Sequence, residues 1–286
     1  MFLVGIGAAL VASVLFNVGI VLQALDARVV APALGLRFSL LWQLVHRPRW
    51  VLGAALGLVG IAPQVLAYGD APFVVVQPAL IAGMLLLVIF GERILNEPIG
   101  KSELIGMLSI IGGIALLAWG APNHAETHRS AAAVLSVVAA LCLLGLLPFA
   151  LRGTRWNTPM LLAVASGCGF GATNVATKLV GDDYSGHPVR AGIWAIVVVV
   201  MGVVATLVGM TAFQRMAATT VVPVSTCVQT FLPIVLEPFF LRERWASANL
   251  DGAPILAGLA IALVGCVLVS RSKAVSGLIA QASDGT

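Results

Sequence analysis

Polar residues are sparse along this chain and gather between long apolar runs. They do not alternate with apolar ones or recur at every third or fourth position. Nine runs qualify as membrane spans: 3–23, 51–69, 72–90, 104–119, 131–150, 160–180, 191–213, 217–241 and 253–270. A spanning helix needs about 20 largely apolar residues, and a helix apolar on all sides has no stripe to turn toward water. Most connections are short, so neighbouring helices must run antiparallel. The exception is 24–50, where a weak apolar stretch, 30–45, is interrupted by Arg37. It reads either as a short tenth span or as an interfacial helix with its basic face outward. The pattern predicts an all-α polytopic membrane bundle of nine or ten transmembrane helices, forming one integral domain over residues 1–286.

Composition removes the soluble alternatives. Of 286 residues, 60% are hydrophobic and 10% charged, against about 25% charged in ordinary soluble domains. So few charges cannot cover a water-facing surface. The 30 glycines suit helices that touch closely in lipid. A net charge of +4 invites a nucleic-acid reading, but the basic residues sit in short loops without interleaved aromatics, so no nucleic-acid partner is expected. The cysteines Cys142, Cys168, Cys227 and Cys266 all lie within apolar runs with no C-x-x-C spacing, as small packing residues do. The N-terminal run has no basic region before it and is about twice a signal-peptide core, which predicts a retained first helix. The small, polar stretch 272–286 is expected to be a disordered tail.

Charge bias sets orientation. With nine spans, one side receives Arg28, Arg37, Arg47, Arg49, Arg93, Lys101, Arg152, Arg155, Arg215, Arg271 and Lys273, and the other only Arg129, Arg190, Arg242 and Arg244. The positive-inside rule puts the first group in the cytoplasm, and with it the C-terminus. Within the chain, Gly91-Glu92-Arg93 ends the third span and Arg242-Glu243-Arg244 the eighth, each followed by a glycine-rich apolar helix. Phe16-Asn17-Val18 to Gln23-Ala24-Leu25 likewise matches Phe170-Gly171-Ala172 to Thr177-Lys178-Leu179. These matches divide the chain into a first half, 3–119, a linking helix, 131–150, and an inverted second half, 160–271. Nine spans put both signature pairs on opposite sides, as inversion requires. Inverted repeats are the architecture of many secondary transporters, with the substrate near the midplane.

The Gly-Glu-Arg-Ile helix end and the helix like 105–119 after it resemble the drug/metabolite transporter (EamA-like) superfamily. Within that superfamily, G-I-A-P-Q-V-L-A-Y-G-D-A-P-F-V-V-V-Q-P-A-L-I at 60–81 resembles the NIPA-type magnesium transporters. Tyr68, Ala71, Pro72, Val76 and Pro78 fall where that family's Tyr, Ala-Pro, Val and Pro stand, and 166–179 and 219–223 are similar too. The resemblance covers most of the chain in helix order, with specific motif residues at a few dozen positions. It implies a transporter fold and either Mg²⁺ or a small metabolite as cargo. At one position the chain departs from the family, which carries Glu one residue after the glycine matched by Gly60; here that residue is Ile61. Mg²⁺ is usually engaged through one or two carboxylates, so the departure favours a metabolite.

Polar side chains within hydrocarbon are expensive, and each calls for a reason. Gln229 lies between Pro223 and Pro233, Gln64 follows Pro63, Gln77 precedes Pro78, and Asn17 and Asn174 stand in the two repeat-related spans. Amides both donate and accept, so these five together would suit a polar solute; alternatively each joins a helix pair at about 0.6 kcal/mol. Lys178 and Glu237 lie near the outer ends of their helices, where they either anchor or gate and couple transport. Asp26 and Asp70, at helix ends, both read as solvated loop charges, and Asp70 is also a gating or coupling candidate because it caps the tight turn between the spans carrying Gln64 and Gln77. Gly167, Gly169 and Gly171 form G-x-G-x-G without the preceding strand a nucleotide site needs, and read as packing glycines.

The expected function is that of a secondary transporter for a small polar solute or metabolite, with Mg²⁺ as the alternative and a non-transporting membrane scaffold as a second one. No nucleotide motif or enzyme constellation stands in the chain, and His46, His124, His128 and His187 all fall in loops. No cofactor is expected, and no metal ligands can be named from the sequence. The expected partners are membrane lipids and the small solute or Mg²⁺, and a homo-oligomer is left open. The expected location is the cytoplasmic membrane. A fluorescent-protein fusion at the C-terminus should fluoresce in cells, as only a cytoplasmic fusion folds; a dark fusion that regains signal as a periplasmic reporter reverses the assigned topology.

Overall fold

A computed structural model describes residues 2–70, 79–85, 93–94, 100–120, 131–183, 186–241, 250 and 253–270, and its regular elements are all helical. They are α1 (Phe2–Val29), α2 (Phe38–Val45), α3 (Pro48–Asp70), α4 (Lys101–Gly120), α5 (Ala131–Ala150), α6 (Pro159–Asp183), α7 (Pro188–Arg215), α8 (Ala218–Leu241) and α9 (Ala253–Ser270), with short 3₁₀ turns at Pro32–Leu34 and Gly83–Leu85. Of these, α1, α6 and α7 contain segments long and apolar enough to cross a membrane, and Val134–Ala150 and Ala253–Val269 are shorter apolar helices. Most of the expected third span, 72–90, the Gly91-Glu92 and 242–244 signatures and the tail lie outside the described residues.

The solvation pattern is that of a protein turned toward lipid. Large apolar side chains point outward, among them Val11 on α1, Leu143 on α5, Ile196 and Val199 on α7 and Val264 on α9. Ser13, Asn17, Ser166, Thr211, Thr219 and Thr220 are buried between helices. In lipid, burying another apolar side chain gains little, so helices associate where small residues let their backbones touch.

Three helix pairs do this most extensively: α1 with α3, α4 with α9, and α6 with α7. A Cβ on Gly19 would stand 2.6 Å from the carbonyl oxygen of Gly53, and a Cβ on Gly53 would stand 2.5 Å from that of Gly19. Between α4 and α9, Gly106 faces Gly265 and Gly113 faces Gly258, with the four corresponding distances between 2.5 and 2.8 Å. That pairing makes the two helices antiparallel. On α6, Gly167 meets the Ser225 carbonyl of α8 and Gly169 meets Ala205 of α7, so these two glycines of the G-x-G-x-G run pack helices as expected.

Two expectations from the sequence change. Helix α1 continues past residue 23 to Val29 because Asp26 is buried and paired: it accepts a hydrogen bond from the Trp50 backbone N–H at 2.9 Å and lies 3.5 Å from the Arg47 guanidinium. Asp26 is therefore a cap on the first turn of α3, where the N–H groups have no partner within the helix. The weak stretch 30–45 is not one helix. Pro32, Gly35 and the left-handed Leu36 (φ 57°) break it, leaving α2 with eight residues. Eight residues span about 12 Å, too short for a hydrocarbon core of about 30 Å. Leu40 and Leu44 face inward while Phe38, Trp42 and Val45 are exposed, so the outward face of α2 is apolar and aromatic, not basic.

The glycine contacts make a discriminating prediction. Gly258→Ala should lower unfolding stability in detergent by about 1–3 kcal/mol, the usual range for overpacking. Gly112→Ala, on the same α4 but with nothing within 4 Å of its added Cβ, should leave stability unchanged. Equal thermal shifts in the two variants would contradict the assigned interface.

Candidate functional site

Because α1 is tight against α3, and α6 against α7 and α8, the space left over falls between these two groups. It is a cavity of about 1000 Å³, walled by α1, α3, α6, α7, α8 and the segment at Leu80–Ile81. Asn17, Gln64, Asn174 and Gln229, four of the five amides singled out in the sequence, all line it. Gln77 lies outside the described residues, as do the side chains of Lys178, Glu237 and Asp70.

The four amides are not equivalent. Asn17 is nearly buried and donates from Nδ2 to the Ser13 carbonyl at 2.8 Å. Ser13 in turn donates to the Leu80 carbonyl and accepts from the Gly83 N–H, so it fixes the wall segment carrying Leu80 to α1. The Asn17 bond stays within α1, so Asn17 lines the cavity without bracing a helix pair. Gln64 and Gln229 are half-buried and Asn174 exposed, and none of the three has a hydrogen-bonding partner among the described residues. They offer donors and acceptors to whatever enters. The aliphatic Ile61 also stands on the wall.

Further lining groups were not singled out in the sequence. Gln23 on α1 and the hydroxyls of Ser225, Thr226 and Thr230 on α8 add polar surface. The aromatic rings of Phe16, Trp50, Phe170 and Phe213 supply apolar wall. Phe16 and Phe170 begin the two matched stretches of α1 and α6, a hint that was present in the repeat. Trp50 had no signal, since it sits in a basic loop by sequence and reaches the cavity only once α3 has docked.

The two ends of the cavity differ. At the end carrying Arg28, Arg47, Arg49 and Arg215, the two groups of helices are tied together. The Trp50 indole N–H donates to the Met210 sulfur at 3.3 Å, joining α3 to α7. The Leu36 N–H donates to Thr211 Oγ1 at 3.0 Å, and Gln214 Nε2 donates to the Val30 carbonyl at 3.1 Å. Gln214 Oε1 is buried there without a partner. At the opposite end, toward Asn174 and Thr230, the described wall has no such cross-link. The Asp183 carboxylate, beside Arg190 at 3.2 Å and Trp194 Nε1 at 3.2 Å, ties α6 to α7 within one group only.

Among the described residues no three His, Cys, Asp or Glu side chains come together as a metal site. Comparison with family models, with curated proteins and with solved structures gives no match to this chain.

The Asp26 cap determines where Trp50 stands. Asp26→Ala should reduce stability by about 1.5–3 kcal/mol, the cost of removing a charge-assisted hydrogen bond, and should shift Trp50 emission to the red. To isolate that emission, the other five tryptophans should first be replaced by Phe. Unchanged emission in Asp26→Ala would show that Trp50 is positioned by something else.

Proposed function

We propose that this chain is a secondary transporter of the cytoplasmic membrane, moving a small polar solute by alternating access through the cavity between its two helix groups. The observation that carries this reading is the convergence of Asn17, Gln64, Asn174 and Gln229, drawn from both halves of the chain, on one partly enclosed space. A scaffold protein calls for a solid apolar interior and has no use for unpaired amides facing a void. In lipid such groups are costly unless they serve a passing solute.

The proposed architecture is nine spans in an inverted repeat, with α5 as the link between halves. Several features support it. The first two long helices of each half pair with each other, α1 with α3 and α6 with α7. Advancing Gly106 and Gly113 by 152 positions gives Gly258 and Gly265, and the contacts of 106 with 265 and 113 with 258 are those of a two-fold axis between α4 and α9. The same offset carries Gln77 onto Gln229. With the C-terminus in the cytoplasm, the end closed by Trp50, Met210, Leu36 and Thr211 faces inward, and the cavity opens outward. Transport then requires those inner cross-links to break.

The test is flux in proteoliposomes. Gln229→Leu and Gln64→Leu should each abolish transport while leaving membrane insertion and melting temperature intact. Wild-type flux in both variants would sink the assignment of this cavity as the pathway.

A further inference from the structure

We infer that the solute taken by this cavity is an uncharged organic molecule carrying a flat, hydrogen-bonding ring, of about nucleoside size, and not a metal ion or an anion. The inference rests on the cavity being the transport site and adds the chemical class of its cargo. Its basis is the kind of polarity the wall offers. Every polar side chain among the described lining residues is neutral: the amides Asn17, Gln23, Gln64, Asn174 and Gln229, and hydroxyls such as Thr226. A charged solute entering a largely apolar enclosure loses its hydration, and amides and hydroxyls repay that loss poorly unless an opposite charge is present. Mg²⁺ in particular keeps its waters and engages carboxylates. At Ile61 the wall is aliphatic, and the hydroxyl of Ser166 is already bound to the Ala205 carbonyl at 3.0 Å.

The second part of the class comes from shape. Phe16 on α1 and Phe170 on α6 line opposite helix groups, and both are only partly buried. Phe16 is braced from behind by α3, where a Cβ on Gly60 would stand 2.9 Å from its ring. A braced ring on one wall and a second on the facing group suit a planar solute, which stacks on an aromatic face while amides read its edge. The available volume, about 1000 Å³, is at the upper end of the range for small-molecule sites and leaves room for such a molecule with water.

Melting of the purified chain in detergent tests the class, with Phe170→Leu as the variant that probes stacking. Adenosine and uridine are compared with their 5′-monophosphates, which keep ring and edge and add only charge, and with MgCl₂ alone. A ligand of the folded state raises the melting temperature as its concentration rises. The expected result is a saturable rise with a nucleoside, at least about tenfold weaker for the monophosphate, absent with Mg²⁺, and weakened about tenfold in Phe170→Leu. Equal or stronger protection by a monophosphate or by Mg²⁺ overturns the inference, as does the absence of protection by both nucleosides. Counterflow in proteoliposomes separates this failure from that of the transport reading. A nucleoside that binds but is not exchanged keeps the solute class and removes the transporter. Exchange of the monophosphate or of Mg²⁺ keeps the transporter and removes the solute class.

Discussion

Contact between bare backbones at paired glycines is the constraint on which the rest of this structure depends. With Val11, Leu143, Ile196 and Val264 facing outward, apolar burial cannot be what selects one helix arrangement over another. Surface complementarity must do it, and surfaces fit best where no side chain intervenes. Gly19 with Gly53, and Gly106 and Gly113 with Gly265 and Gly258, fix which helices become partners and at what height they cross. Since these contacts tolerate almost no added volume, they also dictate where the remaining volume goes. The larger residues Phe16, Trp50, Phe170 and Phe213 line the space left between the two helix groups, and that space is the cavity.

Closure at one end follows from chain connectivity as much as from chemistry. The linker after α1 must turn back to begin α3, and it does so against α7. There Thr211 and Gln214 take up the backbone groups that Pro32, Gly35 and Leu36 leave outside any helix. Buried backbone groups need partners, so a break in the helix at this point almost requires a contact with α7. Asp26 completes the arrangement by capping α3 and holding Trp50 within reach of Met210. An irregular linker, required by topology, thus ties α1 and α3 to α7 at one end of the cavity.

Four of the cavity's five described amides, all but Gln23, were legible in the sequence because an amide in an apolar run stands out against its neighbours, and its cost in hydrocarbon forces a use. Their convergence was not legible: Gln64 and Gln229 are far apart in the chain, and only packing could bring them to one space. Asp26 misled for the opposite reason. At the end of an apolar run a carboxylate is solvated by default, and only the docking of α3 buries it beside Arg47 and the Trp50 N–H. Trp50 and Met210 carried no signal, since an aromatic beside a basic loop and a methionine in an apolar helix are both ordinary for interfacial and lipid-facing positions.

By itself the sequence determined that the chain is helical, that its helices are apolar on nearly every side, and which residues are too polar to face lipid. These follow from composition and run length, which act locally. Tertiary structure decided that 30–45 is a broken linker with an eight-residue helix, that α1 continues to Val29, and that one cavity gathers amides from both halves. Those outcomes depend on distances between residues far apart in sequence, set by how closely glycine-bearing backbones approach. No periodicity along a single helix encodes such distances.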